Sequence, residues 1–290
     1  MATAFETLLS ILDLETIEHN LFRGRSPETS WQRVFGGQVI GQALVAAQRT
    51  VDADRHVHSL HGYFMRPGDP AVPIIYEVDR LRDGGSFTTR SVVAIQHGKA
   101  IFTLTASFQA DEQGLEHQIP VKAGIKGPDG LMSDREFGEK YMSQAPDHIA
   151  AYFHRERPIE MKPTSLDHYI SREALPPEQN VWFRVLGDVP QNRAIQAAVL
   201  AYVSDMTLLD GALFPHGRTV FDRDVQAASL DHSMWFHRPH KLDDWLLYAQ
   251  DSPNAASGRG FTRGSFYTKD GILVASVAQE GLIRIRGPKS

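Results

Sequence analysis

Apolar residues fall in two kinds of run along this chain. From 197 to 213, "AAVLAYVSDMTLLDGAL" is apolar almost all the way round a helical wheel, and "GGQVIGQALVAAQRTV" (36–51) behaves similarly. Both predict helices that must be covered on most sides. Elsewhere "SVVAIQ", "IFTLTASFQ" and "ILVASVAQ" are rich in β-branched residues and bounded by glycine, the pattern of antiparallel strands. A sheet curled around each helix would supply the cover.

The pattern is used twice. Residues 59–108 resemble residues 229–281: Arg66-Pro67 falls on Arg238-Pro239 and Tyr76 on Tyr248, both at one and the same spacing, and "HGKAIF" matches "DGILVA" after a shift of one or two positions. Two copies of one unit follow, each preceded by its apolar helix. The reading is an N-terminal unit over 1–112, a linker over 113–170 and a C-terminal unit over 171–290. The linker is more polar and includes "DREFGEKYMSQAPDHIAAYFHR", which predicts an amphipathic helix. "NVWFRVLGD" (180–188) is expected to open the second copy as "NLFRGRS" (20–26) opens the first.

Asp205 stands near the middle of the second apolar run. A carboxylate in such surroundings is paired, solvated or kept for chemistry, because burying an unpartnered charge costs several kcal/mol. A helix cap is the plain alternative.

Composition narrows the chemistry. The chain has 290 residues, 42% of them hydrophobic, enough for a real core, and a net charge of −5 without a basic run. Nucleic acid and anionic membranes are therefore not expected as main partners. No stretch resembles a secretory leader or a membrane span, and the chain ends on "GPKS", which is not a peroxisomal address. A cytoplasmic protein is expected. With no cysteine, disulfides, thiolate zinc sites and a cysteine nucleophile are all excluded.

Common enzyme motifs are missing. There is no G-x-S-x-G elbow, H-E-x-x-H or phosphate-binding G-x-x-x-x-G-K-[ST]. "GRGFTRG" (258–264) has the wrong spacing for a dinucleotide loop and runs into a strand. His56 and His58 share a strand face in "RHVHSLHGYF", but a metal would want a third ligand, so ordinary hydrogen-bonded histidines are expected there.

Long segments carry a family resemblance across nearly the whole chain: "LFRGRS", "FGGQVIGQALVAA", "VHSLHGYFMRPGDP", "GSFTTRSVVAIQHGKAIF", "YVSD", "SLDHSMWFHRP" with "WLLY", and "RGFTRGSFYTKDGILVASVAQEG". The chain resembles the type II acyl-CoA thioesterases, whose fold is a double hotdog. That implies an α+β protein in which two antiparallel β-sheets each wrap a central apolar helix. It also implies hydrolysis of fatty acyl-CoA without metal or cofactor, and assembly into a dimer or tetramer. The family's catalytic Asp, Thr or Ser, and Gln fall on Asp205, Ser229 and Gln279. Ser229 stands where Thr is common and keeps the hydroxyl.

The residues themselves are compatible with that chemistry. Hydrolysis of a thioester needs a water held at attack distance and relieved of a proton, work suited to a carboxylate aided by a hydroxyl and an amide. Ser229 as a covalent nucleophile would instead need a neighbouring base. His232 is three residues on, and strand alternation is expected to turn it to the opposite face. Gln279 alone would read as a strand amide satisfying backbone groups. Gly36 and Gly37 offer either oxyanion donors at a helix start or a plain tight turn. His58, Arg66 and Arg238 are further substrate-binding candidates, with Arg80, Arg82 and Arg263 as possible phosphate contacts among ordinary surface arginines. Two other functions compete: a hotdog enoyl-CoA hydratase, which pairs Asp with His on one helix, and a non-catalytic acyl-CoA-binding module. No His lies between Arg193 and Phe214, which counts against the hydratase.

Overall fold

The computed structural model describes residues 2–27, 32–141, 149–150, 153 and 156–287. Helix α1 (Ala4–Leu12) starts at a capping box, in which Thr3 and Glu6 satisfy each other's backbone N–H. Strands β1 (Glu15–Glu18) and β2 (Leu21–Gly24) lead to helix α2 (Gly36–Gln48). Four long strands follow: β3 (Arg55–Phe64), β4 (Ile74–Asp83), β5 (Phe87–Gln96) and β6 (Lys99–Ala110).

The connection holds helix α3 (Asp134–Tyr141), strand β7 (Ile159–Pro163) and a single turn, α4 (Asp167–Ile170). The amphipathic helix expected around "DREFGEKYMSQAPDHIAAYFHR" is described only in part, because residues 142–148, 151–152 and 154–155 lie outside the described residues. Strand β7 lies within the stretch read as linker; at five residues, with a Pro, it sits at the sheet's edge, where pattern is weakest. The chain then repeats the first half: β8 (Glu178–Val185), helix α5 (Arg193–Ser204), β9 (Val225–Ser229), β10 (Asp231–Phe236), β11 (Leu246–Ala256), β12 (Arg259–Thr268) and β13 (Leu273–Ile285).

All strand pairs are antiparallel. The path runs β1-β2-β4-β5-β6-β3-β10-β13-β12-β11-β8-β7, with β9 also on β13, so the two halves join edge to edge through β3 and β10 into one curved sheet. That seam preserves the repeat seen in the sequence. His61 faces Ser233, its own counterpart at the spacing that relates Arg66 to Arg238, while Tyr63 faces Asp231 and Ser59 faces Trp235. A pseudo-twofold axis therefore passes between His61 and Ser233.

Each helix fills the hollow of its half-sheet. Ile40, Ala43, Leu44, Ala46 and Ala47 of α2, and Ala198, Val199, Leu200 and Ala201 of α5, are fully buried in one continuous core. A helix buried on this scale is held by packing rather than propensity. The two helices also touch. Gly37 lies against Tyr202 O and Gly41 against Ala198 O, approaches that leave no room for a Cβ at Gly37. The α2 N-terminus thereby meets the α5 C-terminus.

Candidate active site

Asp205 is placed by the end of a helix, not by its middle. Helix α5 stops at Ser204, and Asp205 is its C-cap, with φ −92° and ψ 1° and its N–H bonded to Val203 O. The apolar run continues as a 3₁₀ turn (Asp210–Ala212), so the single long helix expected over 197–213 is broken at the carboxylate. The cap position turns Asp205 toward α2, whose N-cap residue, Phe35, has no capping side chain. Asp205 takes that role from another helix. It accepts from the Gly37 N–H, and its Oδ2 lies 2.5 Å from where a Cβ on Gly36 would stand. Glycine at 36 is thus required by close approach to a carboxylate.

Ser229 ends β9 opposite Gly281, and Gln279 precedes that glycine by two residues on β13. Alternation brings both side chains to one face. Gln279 Nε2 donates to Ser229 Oγ at 2.5 Å, and Ser229 Oγ donates to Asp205 Oδ1 at 3.2 Å. Gln279 also donates to Asp205. The three residues singled out by the resemblance are brought together.

His232 belongs to the same network, contrary to the expectation from alternation. Ser229 pairs with Gly281, yet Ser233 pairs with Ala278, so one extra residue is inserted between β9 and β10. This β-bulge reverses the parity, and three residues of separation then keep His232 on the face of Ser229. The Asp231 carboxylate accepts the Glu280 N–H at 2.7 Å beside it. Fully buried, His232 lies 3.0 Å from Gln279 Oε1 through Nδ1 and 2.8 Å from Ser204 Oγ through Nε2. The first copy has the same bulge between Val57 and Ser59, but its residue at the place of His232 is Leu60, so no signal in the sequence marked the histidine.

Electrostatics suit a base. Burial pushes the Asp205 carboxyl up to about 6, against hydrogen bonds from Ser229, Gln279 and Gly37 that favour the charged form. The N-terminal dipole of α2 supports the anion and the C-terminus of α5 opposes it. His232 is pushed down to about 4 by burial and is therefore neutral near pH 7. A second carboxyl, Asp210, is pushed up to about 7 by burial alone; the sequence reading missed it, and nothing but its place in an apolar run could have signalled it.

The other candidates divide between the two halves. Arg66 follows β3 and donates to Ala100 O at 2.6 Å, on the same connection as Phe64, which packs beside Gly36. His58, bonded to Ser107 at 2.8 Å, and Arg238, donating to Leu273 O at 3.0 Å, are not gathered with Asp205. They line a cavity at the other end of the helix pair. His58 sits at the bulge of β3 and Arg238 repeats Arg66, so the pseudo-twofold sends both to the far side. Arg263 is paired with Asp251 at 2.6 Å, and Arg80 donates to Asn20 at 3.0 Å.

Comparison with known proteins identifies the family. Residues 26–109 match a family model described as the acyl-CoA thioesterase N-terminal domain, and residues 148–282 match one described as acyl-CoA thioesterase. The chain is 40% identical to Acyl-CoA thioesterase 2 of Haemophilus influenzae over 98% of its own length and 99% of that protein's. Its structure is similar to that of an acyl-CoA thioesterase II, TesB2, from Mycobacterium marinum, with TM-score 0.79, 42% identity and coverage of 97% and 99%. A hot dog fold protein of unknown function from Alicyclobacillus acidocaldarius, 17% identical, has TM-score 0.77 over 98% of this chain and 99% of its own. That last likeness concerns the fold alone.

Proposed function

The chain belongs to the acyl-CoA thioesterase II family and is a thioester hydrolase, and we propose that Asp205, Ser229 and Gln279 carry its hydrolysis of fatty acyl-CoA to free fatty acid and CoA. The observation that carries the reading is the hydrogen-bonded line Gln279, Ser229, Asp205, ending on a carboxyl whose burial raises it to about 6. A base of that strength is ionised near pH 7 yet still takes a proton readily.

A water beside Asp205, held by the Ser229 hydroxyl and the Gln279 amide, gives its proton to the carboxylate as its oxygen attacks the thioester carbonyl carbon. Charge builds on the carbonyl oxygen, and the Gly36 N–H at the start of α2 is the donor offered to it. The intermediate collapses, the carbon–sulfur bond breaks, and Asp205 returns the proton to the departing thiolate. Water and acyl-CoA become a carboxylic acid and free CoA.

Two competing mechanisms find less support. His232 cannot deprotonate Ser229, because the Gln279 amide lies between them. It touches Ser204 and Gln279 rather than Asp205, so the Asp–His pairing of a hydratase is missing as well. The expected working form is a cytoplasmic dimer or tetramer; among the described residues no helix is long and apolar enough to cross a membrane.

Release of free thiol from medium- and long-chain acyl-CoA, followed by a colour reaction, tests the proposal. Turnover that Asp205→Asn lowers by about 10² to 10⁴ is the expected result. Binding without turnover would instead favour an acyl-CoA-binding module.

A further inference from the structure

The pseudo-twofold axis that makes one catalytic site also generates its counterpart, and there the chemistry is gone. Helix α2 starts at Gly36 and helix α5 at Arg193. Laying one start on the other places Gln48 where Asp205 stands and Ala194 where Gly37 stands. The contact survives in neutral form: Gln48 Nε2 donates to Ala194 O at 3.2 Å. Along the strands, the spacing that relates His61 to Ser233 puts Val57 at the place of Ser229 and Leu60 at that of His232. Leu60 faces Ala106, which replaces Gln279. Base, hydroxyl, imidazole and amide have become amide, methyls and isobutyl.

The space has not closed. A cavity of about 890 Å³ lies there, framed by the ends of both helices, with Val57, Ala197 and Phe236 as apolar wall and Arg55 and Arg238 among its polar residues. Phe236 and Arg238 repeat Phe64 and Arg66 of the catalytic side. Within the wall, Arg55 Nη1 is buried and has no hydrogen-bond acceptor among the described residues. Arg55 lines the cavity with its Nε 3.5 Å from Asp54, and a turn of its side chain would bring the unpartnered N–H to an anionic or carbonyl group there, relieving a costly buried donor.

We infer that this cavity binds a second acyl-CoA, which it holds without cleaving. The inference rests on the acyl-CoA reading of the catalytic half, because it is the repetition of that half's Phe64 and Arg66 that selects the ligand. The capacity to bind resides in the open space and in Phe236 and Arg238, which repeat Phe64 and Arg66. The capacity to hydrolyse resides in four side chains, which are not repeated.

A thioether analogue of acyl-CoA, which cannot be hydrolysed, decides the question by calorimetric titration of the whole protein. Two equivalents per chain are expected. Arg55→Ala, which removes the unpartnered donor, and Val57→Phe, which fills the apolar wall, should each leave one equivalent and parental kcat/KM. Thermal melting of each variant confirms that it is folded. A single equivalent in the parent protein would overturn the inference, as would two equivalents that survive both substitutions. Failure to bind the analogue at all would overturn the acyl-CoA reading itself.

Discussion

Gln279 Nε2 and Ser229 Oγ lie 2.5 Å apart, and this contact sets the direction of every hydrogen bond around it. Because the amide donates, the single hydroxyl proton of Ser229 is free for Asp205 Oδ1. Gln279 Oε1 must then face His232, so the neutral imidazole carries its proton on Nδ1 and leaves Nε2 as an acceptor for Ser204. Donation therefore runs one way from His232 through Gln279 and Ser229 to the carboxylate, and the Ser204 hydroxyl, which also donates to Ala201 O at 2.8 Å, lies against His232 Nε2 at the far end. Tyr248 holds the far end by donating to Ser204 O at 2.8 Å.

Ser229→Thr retains the hydroxyl and should stay active. Ser229→Ala breaks the line and should lower kcat by about 10- to 100-fold, the scale of one lost buried hydrogen bond to a charged group. Steady-state kinetics measure both, and mass spectrometry of the parent with substrate should detect no acyl group on Ser229. A trapped acyl-serine would replace the water mechanism by a covalent one.

His232 acts as a positioning residue by fixing which way the Gln279 amide points. His232→Leu, the residue of the first copy, should lower kcat about 5- to 30-fold with KM unchanged, since it leaves Gln279 Oε1 buried without its donor. His232→Asn carries an N–H near the position of Nδ1 and should recover most of the loss. A purely structural role for His232 would lower thermal stability in both variants and give Asn no kinetic advantage.

Much of this geometry is legible in the sequence, for identifiable reasons. Long buried helices and β-branched strands write a strong pattern, and repetition at a constant spacing fixes the seam between His61 and Ser233 once the strands are paired. His232 is lost because a β-bulge is one residue without a signature, yet it reverses every inference from alternation across it. The position of Asp205 is blurred for a related reason. A helix end followed by a 3₁₀ turn has the same apolar pattern as a continued helix. Sequence supplies two copies of each wall but not which copy faces which carboxylate, and His58 and Arg238 belong to the cavity away from Asp205.

Each chain should contain one hydrolytic site. Asp205→Asn therefore removes turnover that no residue of the first copy can supply, and Gln48→Asp in that background should restore none, because Val57, Leu60 and Ala106 still occupy the remaining places. Any recovery of thiol release in the double variant would show that the first copy retains a working site.

Asp205 links activity and stability to pH in opposite senses. As a base pushed up to about 6, it should make kcat/KM rise as pH passes through about 6 and level off above it, with no second limb from His232, which titrates near 4. Asp205→Asn should abolish that limb and lower kcat by about 10² to 10⁴ with KM little changed. For stability the sign reverses. The folded carboxyl holds its proton more tightly than the unfolded one, whose ordinary value is 3.8, so the contribution is complete below 3.8 and is lost as pH rises through 6. Above that, ionised Asp205 costs at most about 3 kcal/mol relative to a neutral group. Asp205→Asn should therefore melt at the same temperature as the parent, or higher, at pH 8, with the advantage shrinking toward pH 4. A variant less stable than the parent at pH 8, with near-parental turnover, would make the carboxylate a structural helix cap and exclude it as the base.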